Sequence, residues 1–446
     1  MARPHAFSFD RIAGAPLRAL TRLGGSELAE RLHLRRPIER ALYHGVRAGA
    51  QAIAAGGALA KRANGGEPKR LDPSKANGLF DLTPTEEQSM MCDAMRRFAD
   101  EVLRPAARAA DDAGSPPEEV LAQGHALGLA GLAIPESLGG GATERSSVTN
   151  ALIAEELARG DMGLATALLA PLGVVHALVA WGTVEQQARH LPPFLGDRFV
   201  PAAMALLEPS PLFDPMRPRT GAVRSKDGGW ALWGEKSLVP LALTAEFFLI
   251  AAEVRGTGAR LFIVERNTPG LSIEPEPAMG LRGAALGHLR LQDARVEDDA
   301  MVGGQTPEAE FDLGNLVDRS RIAWGALAVG TAQAVLDYVI PYCNDREAFG
   351  EPISNRQAVA FLVADIAIEL EGMRLLVHRA ASRADRGVNV ERDASLARLQ
   401  CASKGMRIGS DGVQLLGGHG FVKEHPVERW YRDLRAIGVV EGALLA

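Results

Sequence analysis

Residues 413–446 read VQLLGGHGFVKEHPVERWYRDLRAIGVVEGALLA. A helical run closes on Gly417-Gly418, a pair that suits a helix C-cap. The stretch finishes on one acid, Glu441, between Val440 and Gly442 in an otherwise apolar sequence. A carboxylate among apolar neighbours is costly unless it is paired, exposed or put to use. From these residues alone, a solvated glutamate at a frayed end is the simplest reading.

Working back from that stretch, the helical period holds to about residue 308. In AVAFLVADIAIELEGMRLLVHRAASRA, Val359, Leu362, Val363, Ile366, Leu370 and Met373 share one face, and long helices with short connections predict a bundle over 308–446. Residues 201–307 differ. GWALWGEKSLVP, EFFLIAAEV, RLFIVERN, LSIEPE and HLRLQDARV are short β-prone runs between Gly, Pro and charged turns, as in an antiparallel β domain. Residues 79–200 are mostly helical. Their first helix is signalled by Thr83 as N-cap, Pro84 at the first helical position and Glu86 completing a capping box. Further helices are expected around 118–127, 147–159, 164–181 and 183–195. The fold class is therefore α+β, in the order α, β, α.

The first 78 residues stand apart. Asn64–Gly78 is a Gly-, Pro- and charge-rich linker. Residues 1–75 carry 14 Lys and Arg against 6 Asp and Glu, while the whole chain has a net charge of -6. A basic amphipathic segment of this kind either lies on an anionic membrane or docks on the protein body. Length, 446 residues, predicts two or three domains. Nothing in composition points to nucleic acid. Three scattered cysteines suit a reducing, cytoplasmic compartment and neither a disulfide framework nor a metal site. No uninterrupted apolar run reaches membrane-spanning length.

Several motifs in order give the chain a family resemblance. IPESLGG (134–140) is similar to a Pro-Glu-x-x-Gly-Gly loop, and NDREAFGEPISNRQ (344–357) to an Arg-x-x-Phe-Gly…Gln signature. VQLLGGHGFVKEHPVERWYRDLR (413–435) matches Gln-x-x-Gly-Gly-x-Gly and Pro-Val-Glu-Arg-x-x-Arg-Asp. Over roughly residues 80–446 the chain resembles the acyl-CoA dehydrogenase family. The resemblance implies a helical N-terminal domain, a middle β domain and a C-terminal four-helix bundle. It also implies FAD, an acyl-CoA substrate, an electron-transfer flavoprotein as partner, and a homodimer or homotetramer.

The resemblance changes the reading of Glu441. The family's Glu-Gly-Thr becomes Glu441-Gly442-Ala443, and the glutamate is the implied catalytic base. An α-proton of a thioester is weakly acidic, so its base belongs in a dry pocket, with hydrogen-bond donors on the carbonyl. Alternative base positions in the family fall here on Val317 and Ser320, which cannot act as bases. Asp318, Arg321 and Gly442 are implied at the thioester, or Asp318 and Arg321 form a surface ion pair at a helix start. Arg346, Phe349, Gln357, Gln414, Gly417 and Gly418 are implied at the FAD of a neighbouring subunit, Arg346 on the pyrophosphate.

The sequence departs from the family around the flavin ring. Thr-Glu-Pro…Gly-Ser-Asp reads LEPSPLFD, so Leu207, beside Leu206, takes the Thr slot and Leu212-Phe213 the Gly-Ser slots. Phe213 is placed with the substrate. Lys-x-Trp-Ile-Thr-Asn reads KSLVPL, which puts Leu238 in the Trp slot and Pro240, with no N–H, in the Thr slot. Each lost hydrogen bond removes about 0.5–1.5 kcal/mol. The leading expectation is an FAD-dependent α,β-desaturase of an acyl thioester. The alternative is a non-catalytic homologue that binds acyl-CoA as a partner subunit or scaffold.

Overall fold

A computed structural model describes residues 83–446 apart from 143–144, 227 and 305–310. The basic segment and linker, residues 1–78, and the expected membrane contact through 1–75, lie outside the described residues. Helix α1 (Glu86–Phe98) runs through a π-helical turn, Ala99–Leu103, into α2 (Arg104–Ala113), which stops at left-handed Gly114. The capping box sits two residues later than the sequence suggested. Thr85, not Thr83, is the N-cap, exchanging hydrogen bonds of 3.0 and 3.2 Å with Gln88. Thr-x-x-Gln satisfies the same two amides as Thr-x-x-Glu, so two frames were available and the later one forms.

Helices α3 (Glu118–His125), α4 (Ser147–Gly160), α5 (Met162–Trp181) and α6 (Val184–His190) follow. The expected helix over 183–195 is α6 plus a 3-10 turn at Pro192–Leu195, because two prolines remove N–H donors there. Helix α5 corrects the expectation on apolar runs. It carries no charged residue and is long enough to cross a membrane, but 89% of its apolar window is buried in the protein. A helix apolar all round is a core helix in such a setting. Asp161 caps it at Leu164 N (3.0 Å), and its other carboxylate oxygen accepts from buried Arg429 at 2.9 Å.

The middle sheet has seven strands: β1 (Ala202–Ala205), β2 (Gly221–Arg224), β3 (Trp230–Val239), β4 (Phe247–Val254), β5 (Gly258–Glu265), β6 (Leu271–Pro275) and β7 (Gly287–Val296). Pairs β2–β3, β3–β7, β6–β7 and β4–β5 are antiparallel, while β1 and β2 both lie parallel to β4. Strands β1 and β2, four residues each, have too little pattern to be read from sequence. Alternation in β4 splits two cores: Phe247, Leu249 and Ala251 pack with α5, while Phe248, Ile250 and Ala252 line the inside of the curled sheet.

The C-terminal bundle is α7 (Leu313–Asp345), α8 (Gln357–Asp385), α9 (Glu391–Leu415) and α10 (Val427–Ala436). On α8, Ile366, Leu370 and Met373 are fully buried, and Val359, Leu362 and Val363 pack on the same core. After α10 the chain crosses back, and residues 441–446 are all buried. Gly173 of α5 makes room for this crossing, since a Cβ there would lie 2.3 Å from the Ala443 carbonyl oxygen.

Candidate active site

Glu441 is neither frayed nor solvated. It is 8% exposed, and its Oε1 accepts from Arg321 Nη2 at 3.1 Å and lies 3.2 Å from Arg398 Nε. Arg398 also donates through Nη1 to the Val440 carbonyl at 2.7 Å, so one guanidinium fixes both the backbone before the acid and the acid itself. Burial pushes Arg398 below its ordinary value, and the Glu441 charge opposes the shift. Glu441 Oε2 is buried with no hydrogen-bond partner, and the Glu441 backbone N–H forms no hydrogen bond among the described residues. The free N–H can donate to an incoming carbonyl oxygen, and the unpartnered Oε2 is left able to take a proton.

The start of α7 supplies the frame. Asp312 caps it at Asn315 N, 2.9 Å. One turn apart, Ser320 Oγ and Trp324 Nε1 both donate to the Gly442 carbonyl, at 2.9 and 2.8 Å. Gly442 needs to be glycine: its φ is +73°, and a Cβ would meet Leu206 Cβ at 2.5 Å. Asp318 is buried beside Arg321, but Arg321 binds Glu441 instead, so the surface ion pair does not form. Burial pushes Asp318 up to about 6, against the pull of Arg321. Asp318 and Arg321 line a polar cavity of about 470 Å³ with Arg319, Asp312 and Glu391.

A second cluster lies at the other end of α7. Arg346, Gln357, Gln414, Gly417 and Gly418 are exposed, Phe349 is 93% exposed, and nothing lies within 4 Å of a Cβ built on Gly417 or Gly418. Tyr342, near Arg346, donates to the Leu416 carbonyl at 3.4 Å, which ties the cluster together. Arg321 and Arg346 are separated by about three quarters of the helix, roughly 37 Å at 1.5 Å per residue. The two clusters of one chain therefore cannot share one small site.

FAD can be tested against these residues. The distal cluster fits its phosphate-bearing end: an exposed guanidinium, amides and open glycine backbone. The ring end is different. Leu206, Leu207 and Pro240 are buried, and Leu238 and Phe213 are half-buried. Glu276 takes the Leu238 N–H at 2.6 Å and the Ser237 hydroxyl at 2.7 Å, so these two donors are already engaged and Leu206, Leu207, Leu238 and Pro240 present apolar walls. Leu212, Leu238, Leu241 and Ala443 all adopt left-handed backbone, with φ of 55°, 52°, 53° and 67°. Left-handed backbone costs about 1–2 kcal/mol at a non-glycine residue. Glu208 and Lys236 turn inward. Lys236 Nζ lies 2.9 Å from Glu208 Oε1 and 3.1 Å from the Leu206 carbonyl, and burial pushes the lysine down to about 8. They hold β1 to β3 rather than face a ligand.

Sequence reasoning missed Arg398 and Trp324, and weighed Ser320 only as a base position it cannot fill, not as a donor to the Gly442 carbonyl. Their partners lie 42 to 122 positions away, and no local pattern marks such a pair.

Comparison with known proteins agrees with this architecture. The N-terminal, middle and C-terminal domain families of acyl-CoA dehydrogenase match residues 85–197, 203–294 and 313–444. An acyl-CoA dehydrogenase of Bacillus subtilis is 31% identical over 365 residues, covering 80% of this chain and 95% of the relative. Butyryl-CoA dehydrogenase from Megasphaera elsdenii superposes with a TM-score of 0.74 at 28% identity, over 81% of this chain and 96% of that one. An FAD complex of PigA does so with a TM-score of 0.74 at 25% identity, over 81% and 96%.

Proposed function

This chain belongs to the acyl-CoA dehydrogenase family, and we propose that it desaturates an acyl thioester between Cα and Cβ with Glu441 as the base. The observation that carries the reading is the buried, partnerless Oε2 of Glu441 beside the free Glu441 N–H. The thioester carbonyl accepts from that N–H, which stabilises negative charge developing on its oxygen. The Cα–H bond then breaks toward Oε2, while Arg321 and Arg398 hold the other oxygen and keep the carboxylate aimed. FAD, when bound, supplies the two-electron acceptor for the hydride lost from Cβ. Leu206, Leu207, Leu238 and Pro240 exclude water from the reacting carbons. Asp318 and Arg321, at the mouth of the polar cavity, orient the thiol-carrier end.

Arg346, Phe349, Gln357, Gln414, Gly417 and Gly418 would hold the phosphate and adenine end of a cofactor whose ring sits in a second copy of the chain. An exposed apolar stripe supports that second copy: Phe361, Ile368 and Leu375 at seven-residue spacing on α8, with Leu396 and Leu399 on α9. An electron-transfer flavoprotein is the proposed electron acceptor. The test is the visible spectrum of purified protein with and without acyl-CoA. A flavin band bleached by substrate, and not bleached in Glu441→Gln, supports the reading. Absence of any flavin band after incubation with FAD favours the second reading, a non-catalytic acyl-CoA-binding homologue. The loss of side-chain donors at Leu207, Pro240 and Ala443 speaks for that alternative.

A further inference from the structure

Given Glu441 as the base, Cα of the substrate lies against Oε2, and the rest of the acyl chain extends from there. A long alkyl chain binds because apolar walls enclose it, at about fourfold in affinity per methylene. The apolar seam beside Glu441, between α4, α5 and α7, is already full. Ala443, Leu444, Leu445 and Ala446 occupy it at 5, 1, 6 and 1% exposure. The void they leave, bounded by Ile153, Leu169, Leu172, Ala323, Leu444 and Leu445, is about 20 Å³. One water needs about 10–15 Å³ of such space, so the void has room for a single water and not for an alkyl chain.

The filling segment is fastened at both ends. Ser320 and Trp324 hold the Gly442 carbonyl. Arg145 and Arg319 donate to the Ala446 carbonyl at 2.6 and 3.3 Å, and Ala446 N donates to the Arg319 carbonyl at 3.2 Å. The open space on the other side of Arg321 is the cavity of about 470 Å³, lined by charged groups that suit a polar carrier and repel an alkyl chain. We infer that residues 443–446 restrict the enzyme to short acyl thioesters of the propionyl and butyryl class, with Leu444 and Leu445 as the wall that a longer chain meets.

The inference rests on the base assignment, and calorimetric titration separates the two. Glu441→Gln protein, which cannot turn over, is titrated with butyryl-CoA and with octanoyl-CoA. Butyryl-CoA is expected to bind about tenfold or more tightly than octanoyl-CoA, because the longer chain must displace packed leucines. An enclosing channel gives the opposite order. Adding Leu444→Ala, or Leu445→Ala should the first variant fold poorly, is expected to raise octanoyl-CoA affinity about tenfold and to change butyryl-CoA affinity by less than about twofold. Octanoyl-CoA binding as tightly as butyryl-CoA overturns the chain-length inference and leaves the base assignment standing. So does a folded leucine variant that gains nothing for octanoyl-CoA. Binding of neither thioester removes the acyl site, and the inference with it.

Discussion

The two sides of the candidate site are built on opposite principles. On the Glu441 side, side chains do the organising: two arginines on the carboxylate, a serine and a tryptophan on the next carbonyl. On the ring side the side chains are apolar, and the backbone carries the unusual feature, left-handed residues at Leu212, Leu238 and Leu241. A strained backbone persists only where surrounding structure over-determines it. The contrast teaches that the ring side is shaped by backbone conformation that these non-glycine residues adopt at a cost, whereas the chemistry of the base side depends on particular side-chain groups. Removing the groups that hold Glu441 should therefore cost activity, while relieving exposed left-handed backbone on the ring side should move stability.

The sharpest break is Glu441→Gln. Steady-state kinetics should record a kcat about 10²–10⁴-fold lower, the range for loss of a general base, with flavin content unchanged. Full retained turnover would remove Glu441 from the chemistry.

Asp318→Asn comes next and reads the electrostatics of the same side. Burial raises the Asp318 pKa from 3.8 to about 6, so the folded protein binds a proton there that the unfolded chain has released. Stability contributed by this group is therefore lost as pH rises from about 4 to about 6. The asparagine variant should lack that loss, about 2 kcal/mol once the 1.36 kcal/mol per pKa unit is reduced for solvent screening. Urea titrations of both proteins at pH 4, 5, 6 and 7 measure it, and parallel curves would contradict the burial argument.

Arg398→Gln removes one of two partners of a buried carboxylate and the donor to Val440. The expected cost is about 2 kcal/mol, below the 3–5 kcal/mol of a fully broken buried pair because Arg321 remains. Here kcat should fall about tenfold with KM little changed, as expected for a misaimed base, and Arg398→Lys should recover part of it. A variant with unchanged kcat would reduce Arg398 to a structural tether.

The smallest effect belongs to the ring side. Leu212 is fully exposed at φ 55°, so Leu212→Gly loses no burial and relieves the left-handed backbone. A gain of roughly 0.5–1 kcal/mol in thermal unfolding is expected. A loss would mean that the side chain at 212 makes a contact in the working assembly, and would erase the contrast between the two sides.

Much was legible beforehand because it was periodic. The 3.6-residue pattern of α8 placed Ile366, Leu370 and Met373 in the core, and the β-prone runs from 229 to 296 became β3 to β7. The lone acid in an apolar run marked Glu441 as a residue needing explanation. Boundaries were less legible: the first capping box slipped from Thr83 to Thr85 because two overlapping frames offer equivalent hydrogen bonds. Strands β1 and β2 were missed because four residues carry too little alternation.

The sequence by itself determined which residues are apolar and at what spacing, and so the order of helices and strands and a motif set with a family resemblance. Only the tertiary structure decided what surrounds Glu441. Arg321, Arg398, Ser320 and Trp324 reach residues 440–442 from 42 to 122 positions away. Hydrogen bonds and ion pairs act over a few ångströms of space and are indifferent to separation along the chain. The same reason hid the packing of Leu444 and Leu445 against α4, α5 and α7, because apolar residues in sequence state that they will be buried, and only the fold states against what.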